Sequence, residues 1–331
     1  MNSKLQRGVR IITEQWLELA SGERLFIVTS EDYTKEMELI EQYAKEKGVL
    51  AKVMTFTKQP GQVGPYFDNH EDAFDSFDVI LGATMHSLVT TKAVKRAIER
   101  GKRFLSLPLA TNDNRSLLEY DFLKMDPAKS KRMADELLPK LSGGKKLKVT
   151  TPAGTNLTFL MEGREAQLFT GATRQGRGYS SSSFEIFIPI VEDQTFGTGV
   201  VDASLGYLGV PKEPVRIGLK EGKICEIEQN EAGQILSEYI SDFKDERMYV
   251  AGEFGIGLNT FSECKGNSYI EDESTYGTFH IGFGRNIGFG GKQEAIAHFD
   301  LVFHKPDIYV DGILIMKKGE ILWDEETLLA Q

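Results

Sequence analysis

The sequence predicts an α/β protein, with an N-terminal doubly wound parallel sheet followed by a C-terminal β-rich α+β metal-binding domain. Three observations carry this. Strand-like and helix-like segments alternate through residues 24–107; β-hairpin patterns replace them from about residue 145; and three of the five histidines fall in the last third, beside carboxylates in apolar settings. Strand–helix alternation implies parallel strands joined by crossover helices. Asp-Gly turns between alternating apolar runs imply antiparallel neighbours. The division is placed at 1–144 and 145–331.

Residues 5–19 repeat Val9, Ile12, Trp16 and Leu19 at helical spacing, the pattern of an amphipathic helix. Residues 24–29 form a short β-rich run. Thr29-Ser-Glu-Asp-Tyr33 then caps the next helix, with acids near its positive end. That helix covers 34–47 and Gly48 closes it; 51–56 is a second strand. Residues 78–83 lack polar alternation, which suits a parallel strand covered on both faces. Residues 90–100 are helical with Gly101 as the stop, and 102–107 make a fourth strand that Pro108 ends. In the second half, the lysines of 145–149 open a solvated strand. Residues 215–219 turn at Glu221-Gly222 into 223–227, and 232–243 are helical. Residues 308–310 turn at Asp311-Gly312 into 313–316, and Lys318-Gly319 turns into 320–322.

A chain of 331 residues has room for two domains with ample core. Its 40% hydrophobic and 27% charged residues give the profile of a soluble globular protein. A net charge of −10, with no clustered basic surface, argues against nucleic acid or an anionic membrane as partner. Cys225 and Cys264 form no C-x-x-C arrangement, so neither a disulfide framework nor a thiolate zinc site is indicated. The N-terminus lacks a signal-peptide pattern and no run suits a membrane span. A cytoplasmic location is expected. No G-x-G-x-x-G follows the first strand and no G-x-x-x-x-G-K-[ST] occurs, so the parallel sheet is not read as a nucleotide site.

The chemistry gathers in the second half. In His298-Phe299-Asp300, strand geometry projects imidazole and carboxylate to one face, within reach of one ion or two. A plain His–Asp hydrogen bond inside a core is the alternative. His280 lies in the glycine-rich run G-T-F-H-I-G-F-G, where small residues let backbone approach closely. A phosphate loop is the rival there, but no helix pattern follows. Glu185 sits in F-E-I-F-I-P and Glu253 in A-G-E-F-G-I-G. A buried carboxylate or imidazole is costly unless hydrogen-bonded, paired or metal-bound. The five donors together read as a divalent-metal site, for one ion or two. Glu271 and Glu273, in the run Glu271-Asp272-Glu273, are candidate general bases, with solvated loop acids as the alternative. His304 reads as a surface histidine; His70 and His86 lie in the other half, His86 at a strand's carboxyl end.

The order of these phrases, E-I-F-I-P, G-E-F-G-I-G-L-N, E-D-E-S-T-Y-G-T-F-H-I-G-F-G, A-H-F-D and D-G-I-L-I, resembles the metalloaminopeptidases known as aminopeptidase T or peptidase family M29. The likeness is greatest to their shorter, leucyl-aminopeptidase-like branch. It implies a cytoplasmic, homodimeric hydrolase that removes N-terminal residues from small peptides with a dinuclear centre of zinc, cobalt or manganese, iron being chemically adequate. It implies that Glu185 is the first glutamate ligand, Glu253 the metal-bridging glutamate, His280 the next ligand, and His298 and Asp300 the final pair. The family's catalytic tyrosine falls at Ile287, for which Tyr276 or Tyr179 is a substitute. The same superfamily includes ring-cleaving 2,5-dihydroxypyridine dioxygenases, with one iron on two histidines and an aspartate. In those the position of Glu253 is a histidine, and counterparts of Glu185 and His280 are missing. Hydrolysis is therefore the first expectation, a mononuclear iron dioxygenase the second, and a metal-stabilised binding protein the third.

Overall fold

The computed structural model describes residues 3–57, 63–174 and 178–324. In chain order it runs α1 (Ser3–Arg10), β1 (Arg24–Ser30), α2 (Thr34–Glu46), β2 (Leu50–Phe56), α3 (Gly64–Asn69), β3 (Val79–Ala83), α4 (Lys92–Glu99) and β4 (Arg103–Ser106). Next come α5 (Pro127–Leu141), β5 (Lys146–Thr150), β6 (Asn156–Leu160), β7 (Gln167–Thr170), β8 (Tyr179–Ser181), β9 (Phe184–Pro189) and β10 (Thr195–Val201). Then follow β11 (Val215–Lys220), β12 (Lys223–Ile227), α6 (Glu231–Asp242), β13 (Ala251–Gly257), α7 (Tyr269–Ser274), β14 (Thr278–Gly284) and β15 (His298–His304). The last strands are β16 (Asp307–Val310), β17 (Ile313–Lys317) and β18 (Glu320–Ile321).

Two compact units result: Met1–Pro127 with Phe169–Phe184, and Ala128–Leu168 with Glu185–Gln331. This differs from a division at 144/145. Helix α5 packs with the second unit, and the three-residue strand β8 returns to the first. A strand that short carries no pattern of its own in the sequence.

The first unit holds the sheet β2-β1-β3-β4-β8, parallel throughout. It grows outward from β1 in both directions, the doubly wound arrangement that the alternation predicts. Every residue of β3 and β4 is buried, as the unbroken apolar run of β3 requires. The single helix expected over 5–19 is instead α1 followed by a wider π-type turn, Ile11–Trp16, in which Leu17 N donates to Ile12 O at 2.8 Å. Trp16 is buried there, edge-on to Phe184 at 5.7 Å.

The second unit stacks two antiparallel sheets, ordered β12-β11-β10-β6-β5-β16-β17-β18 and β15-β14-β13-β9-β7. Between them Phe254, Phe279 and Phe303 stack across β13, β14 and β15 at 5.5 and 4.6 Å, and Phe159 of β6 meets Phe254 at 5.4 Å. Each such ring contributes roughly 1.5–3 kcal/mol of burial. The hairpins fall where expected. Glu221-Gly222 and Asp311-Gly312 both have two positive φ values (49° and 77°, 49° and 88°), the geometry whose twist matches the flanking strands.

Candidate metal centre

The phenylalanines that close the sandwich alternate with the candidate ligands, so the opposite face of the five-stranded sheet carries chemistry. Directly paired residues of antiparallel strands share a face. Glu253 pairs with Gly282, which pairs with Asp300; Gly255 pairs with both His280 and Phe187; Gly257 pairs with Glu185; and Gly284 pairs with His298. Glu185, Glu253, His280, His298 and Asp300 therefore project together from four neighbouring strands. The structure brings all five together.

Glycine makes the room. A Cβ on Gly255 would lie 1.9 Å from His280 Nε2, and one on Gly282 would lie 2.5 Å from His298 Cε1 and 2.9 Å from Asp300 Oδ1. Only residues without a side chain fit between the ligands, which explains the spacing G-E-F-G-I-G and H-I-G-F-G. A register shift between Ala251 and Glu253 places a bulge at Gly252, a device that re-aims the following side chain.

The donors form two triads, Glu185–Glu253–His280 and Glu253–His298–Asp300, with ligand atoms within 4.8 Å of one another in each. Glu253 belongs to both. His280 Nε2 lies 2.8 Å from Glu185 Oε2, and His298 Nε2 lies 3.3 Å from both Glu253 Oε2 and Asp300 Oδ1. That fork is not the plain His–Asp hydrogen bond of a core, because one ring nitrogen faces two carboxylates at equal distance. His298 Nδ1 donates to the Arg285 carbonyl at 3.0 Å, which fixes the ring and turns Nε2 toward the carboxylates. Tyr269 donates its hydroxyl to Asp300 Oδ2, and its ring stacks on Tyr207 at 4.3 Å.

Electrostatics show a site short of positive charge. Burial, then Glu185 and Asp300, push Glu253 well above the usual carboxylate range, and the same three causes raise Glu273. Burial works against a charged His280, but Glu185, Asp300 and Glu253 raise its pKa to about 9. His298 is raised against burial by Asp300 and the Arg285 carbonyl. Burial also opposes charge on Asp300, yet His298, His280 and the Tyr269 hydroxyl hold it below its ordinary value. Glu253 and Glu273 and the two imidazoles, all pushed up, hold protons that a divalent cation would displace.

The acids of 271–273 are not solvated: all three are buried on α7. Glu273 faces the ligands and is raised by Glu185, Asp300 and Glu253. Glu271 does not join them; its Oε1 accepts from Glu263 N at 3.4 Å. Asp272 anchors the helix, accepting from Ser204 Oγ at 2.6 Å and Gly266 N at 3.0 Å. The substitute tyrosines are elsewhere. Tyr276 donates to Glu320 Oε2 at 2.9 Å, Tyr179 belongs to the first unit, and Ile287 starts a short 3-10 turn. The phenol at the site is Tyr269, which sequence reasoning missed. Its signal was available: Tyr269 and Glu273 stand four apart, on one face of a helix, but no helix is assigned there from the sequence. His86 also lies in the first unit, where Thr84 Oγ donates to its carbonyl at 2.6 Å.

The family described as NicX, 2,5-dihydroxypyridine 5,6-dioxygenase, matches residues 42–323. A curated relative, the 2,5-dihydroxypyridine 5,6-dioxygenase of Pseudomonas putida KT2440, is 24% identical over 147 residues, 41% of this chain and 42% of that protein's length. The solved structure of 2,5-dihydroxypyridine dioxygenase from Pseudomonas putida KT2440 superposes with a TM-score of 0.82 at 18% identity, covering 99% of this chain and 100% of the other. Wild-type AmpT from Thermus thermophilus follows at a TM-score of 0.63 and 16% identity, covering 96% and 99%. At these identities the two structures establish a shared fold.

Proposed function

The chain belongs to the NicX family, and from that premise we propose that it is a metal-dependent enzyme that hydrolyses a small amide, releasing the N-terminal residue of a peptide. The observation that carries this is Glu253, whose carboxylate is common to both triads. A shared carboxylate suits two adjacent ions, where a single ion would need only one triad.

The residues fit a divalent metal. Mixed carboxylate and imidazole donors suit zinc, cobalt, manganese or iron. Asp300 Oδ1 and His280 Nδ1 are buried without a hydrogen bond among the described residues, and the glycines let the imidazoles lie close over the sheet. Two bound ions would supply Lewis acidity toward the amide carbonyl and a water acidified to near neutral pH. The protein's own groups do the rest. The Arg285 carbonyl orients His298, and the Tyr269 hydroxyl holds Asp300 by one oxygen, leaving the other toward the ligands. Glu273, buried and biased toward its protonated form, would donate a proton to the leaving amine in this reading.

Ring cleavage by a single iron is the second reading, supported by the family match and the TM-score of 0.82 to the Pseudomonas dioxygenase. Against it, this chain has Glu253, Glu185 and His280 where the resemblance gives those enzymes a histidine and no counterparts. Reconstitution discriminates. The hydrolytic reading expects about two zinc, cobalt or manganese ions per chain, cleavage of di- or tripeptides, and loss of both with Glu253→Ala. One ferrous ion per chain, oxygen uptake with 2,5-dihydroxypyridine and no amide cleavage would overturn it.

A further inference from the structure

Asn286 is buried in the segment that joins β14 to β15. Its Nδ2 donates to Glu192 Oε1 at 3.0 Å and to the Gly252 carbonyl at 2.9 Å, and its Oδ1 accepts from Gln293 N at 2.8 Å. Its backbone is equally committed: N donates to Gln293 O at 3.1 Å, and O accepts from Phe289 N at 3.0 Å and Gly291 N at 3.1 Å. The amide is so closely wrapped that a Cβ on Gly291 would lie 2.1 Å from its Cγ.

The two backbones that Asn286 fixes both lead to metal ligands. Gly252 is the bulge residue immediately before Glu253. Arg285, immediately before Asn286, supplies the carbonyl that receives His298 Nδ1. The amide is held in turn. Glu192 Oε1 also accepts from Lys292 N at 2.7 Å, Glu192 Oε2 pairs with Arg164 Nη2 at 2.6 Å, and Arg164 Nη1 donates to Gly290 O at 2.9 Å. Phe289, within the same turn, packs edge-on to the His298 ring at 5.5 Å.

We infer that Asn286, clamped by Glu192 and Arg164, is the positioning residue of the Glu253–His298–Asp300 triad. It sets the bulge that aims Glu253 and the carbonyl that aims His298. Asn286 touches neither substrate nor metal; it acts through its neighbours. The inference rests on this triad holding a metal, which the hydrolytic and ring-cleaving readings both require of His298 and Asp300.

The test separates the triads by background. A His280→Ala chain retains the Glu253–His298–Asp300 triad, and a His298→Ala chain retains Glu185–Glu253–His280. Asn286→Asp keeps the shape but replaces two N–H donors by an acceptor facing Glu192 and the Gly252 carbonyl. Cobalt(II) affinity, read by chelator competition and visible absorption, is expected to fall 10–100-fold in the His280→Ala background. The fall in the His298→Ala background is expected to be about tenfold smaller. Glu192→Gln, a milder lesion that spares Asn286, should show the same split with a smaller drop, and it carries the test if Asn286→Asp fails to fold. Equal losses in both backgrounds, or none, would overturn the inference. Absence of divalent-metal binding by the unsubstituted chain would overturn both this inference and the metal reading beneath it.

Discussion

Two glycines decide whether the five ligands can converge, and they make separable predictions. Alanine at Gly255 would put a methyl 1.9 Å from His280 Nε2; alanine at Gly282 would put one among His298, Asp300 and the Glu253 Cβ, at 2.5–2.9 Å. Overpacking of this kind costs roughly 1–3 kcal/mol. Each variant should melt lower and lose the metal position whose ligands it crowds, Gly255→Ala at Glu185–Glu253–His280 and Gly282→Ala at Glu253–His298–Asp300. Metal titration with thermal melting checks both. Tyr269→Phe leaves packing nearly intact while removing the donor to Asp300 Oδ2. Its expected effect is a 10–100-fold weaker metal at that triad, and an unchanged affinity would deny the phenol any positioning role. At this scale the five candidate ligands that converge were legible because each has an unusual residue type for its apolar setting. Asn286 and Glu192 were not, since they meet across 94 residues and each looks like an ordinary polar loop residue.

Regular elements were readable wherever a period or a turn signal was strong. β1, β2, β3, β4, the Asp-Gly hairpin β16–β17 and helix α6 lie within a residue or two of the expected ranges. Short elements were not. α3 and α7 have six residues each, too few for a period. The stability of α7 comes from tertiary anchoring, since six residues cannot sustain a helix alone. Asp272 provides that anchor through Ser204 Oγ and Gly266 N. Asp272→Ala should therefore destabilise the fold by about 1.5–3 kcal/mol and, by loosening the helix that carries Tyr269 and Glu273, weaken metal binding and slow turnover together. Denaturant melts, metal titration and kcat measured at saturating metal test this.

For the molecule as a whole, the buried charge links stability to pH and metal. His280, raised to about 9, binds a proton in the folded state that the unfolded chain releases near 6.5, so its contribution is lost as pH rises from there through about 9. Glu253 and Glu273, raised by burial, and Asp272, raised to about 6, act with the same sign from about pH 4 upward. Asp300, lowered, acts oppositely, and only in acid below its ordinary value near 3.8. The metal-free protein should lose stability between about pH 5 and 9, by up to about 1.4 kcal/mol per pH unit for each proton concerned. Bound metal should flatten or reverse that slope, because its ligands bind deprotonated. Calorimetric melts with and without chelator measure the difference. The two-part architecture followed from strand alternation and hairpin turns, but the return of β8 to the first sheet is a long-range event that no local pattern encodes.

The most direct test is anomalous diffraction from crystals grown with cobalt or zinc. The account predicts two peaks roughly 3.5–4 Å apart, flanking Glu253, one on the Glu185 and His280 side and the other on the His298 and Asp300 side. Metal bound away from Glu253, or density showing these five side chains satisfied without any cation, would contradict it.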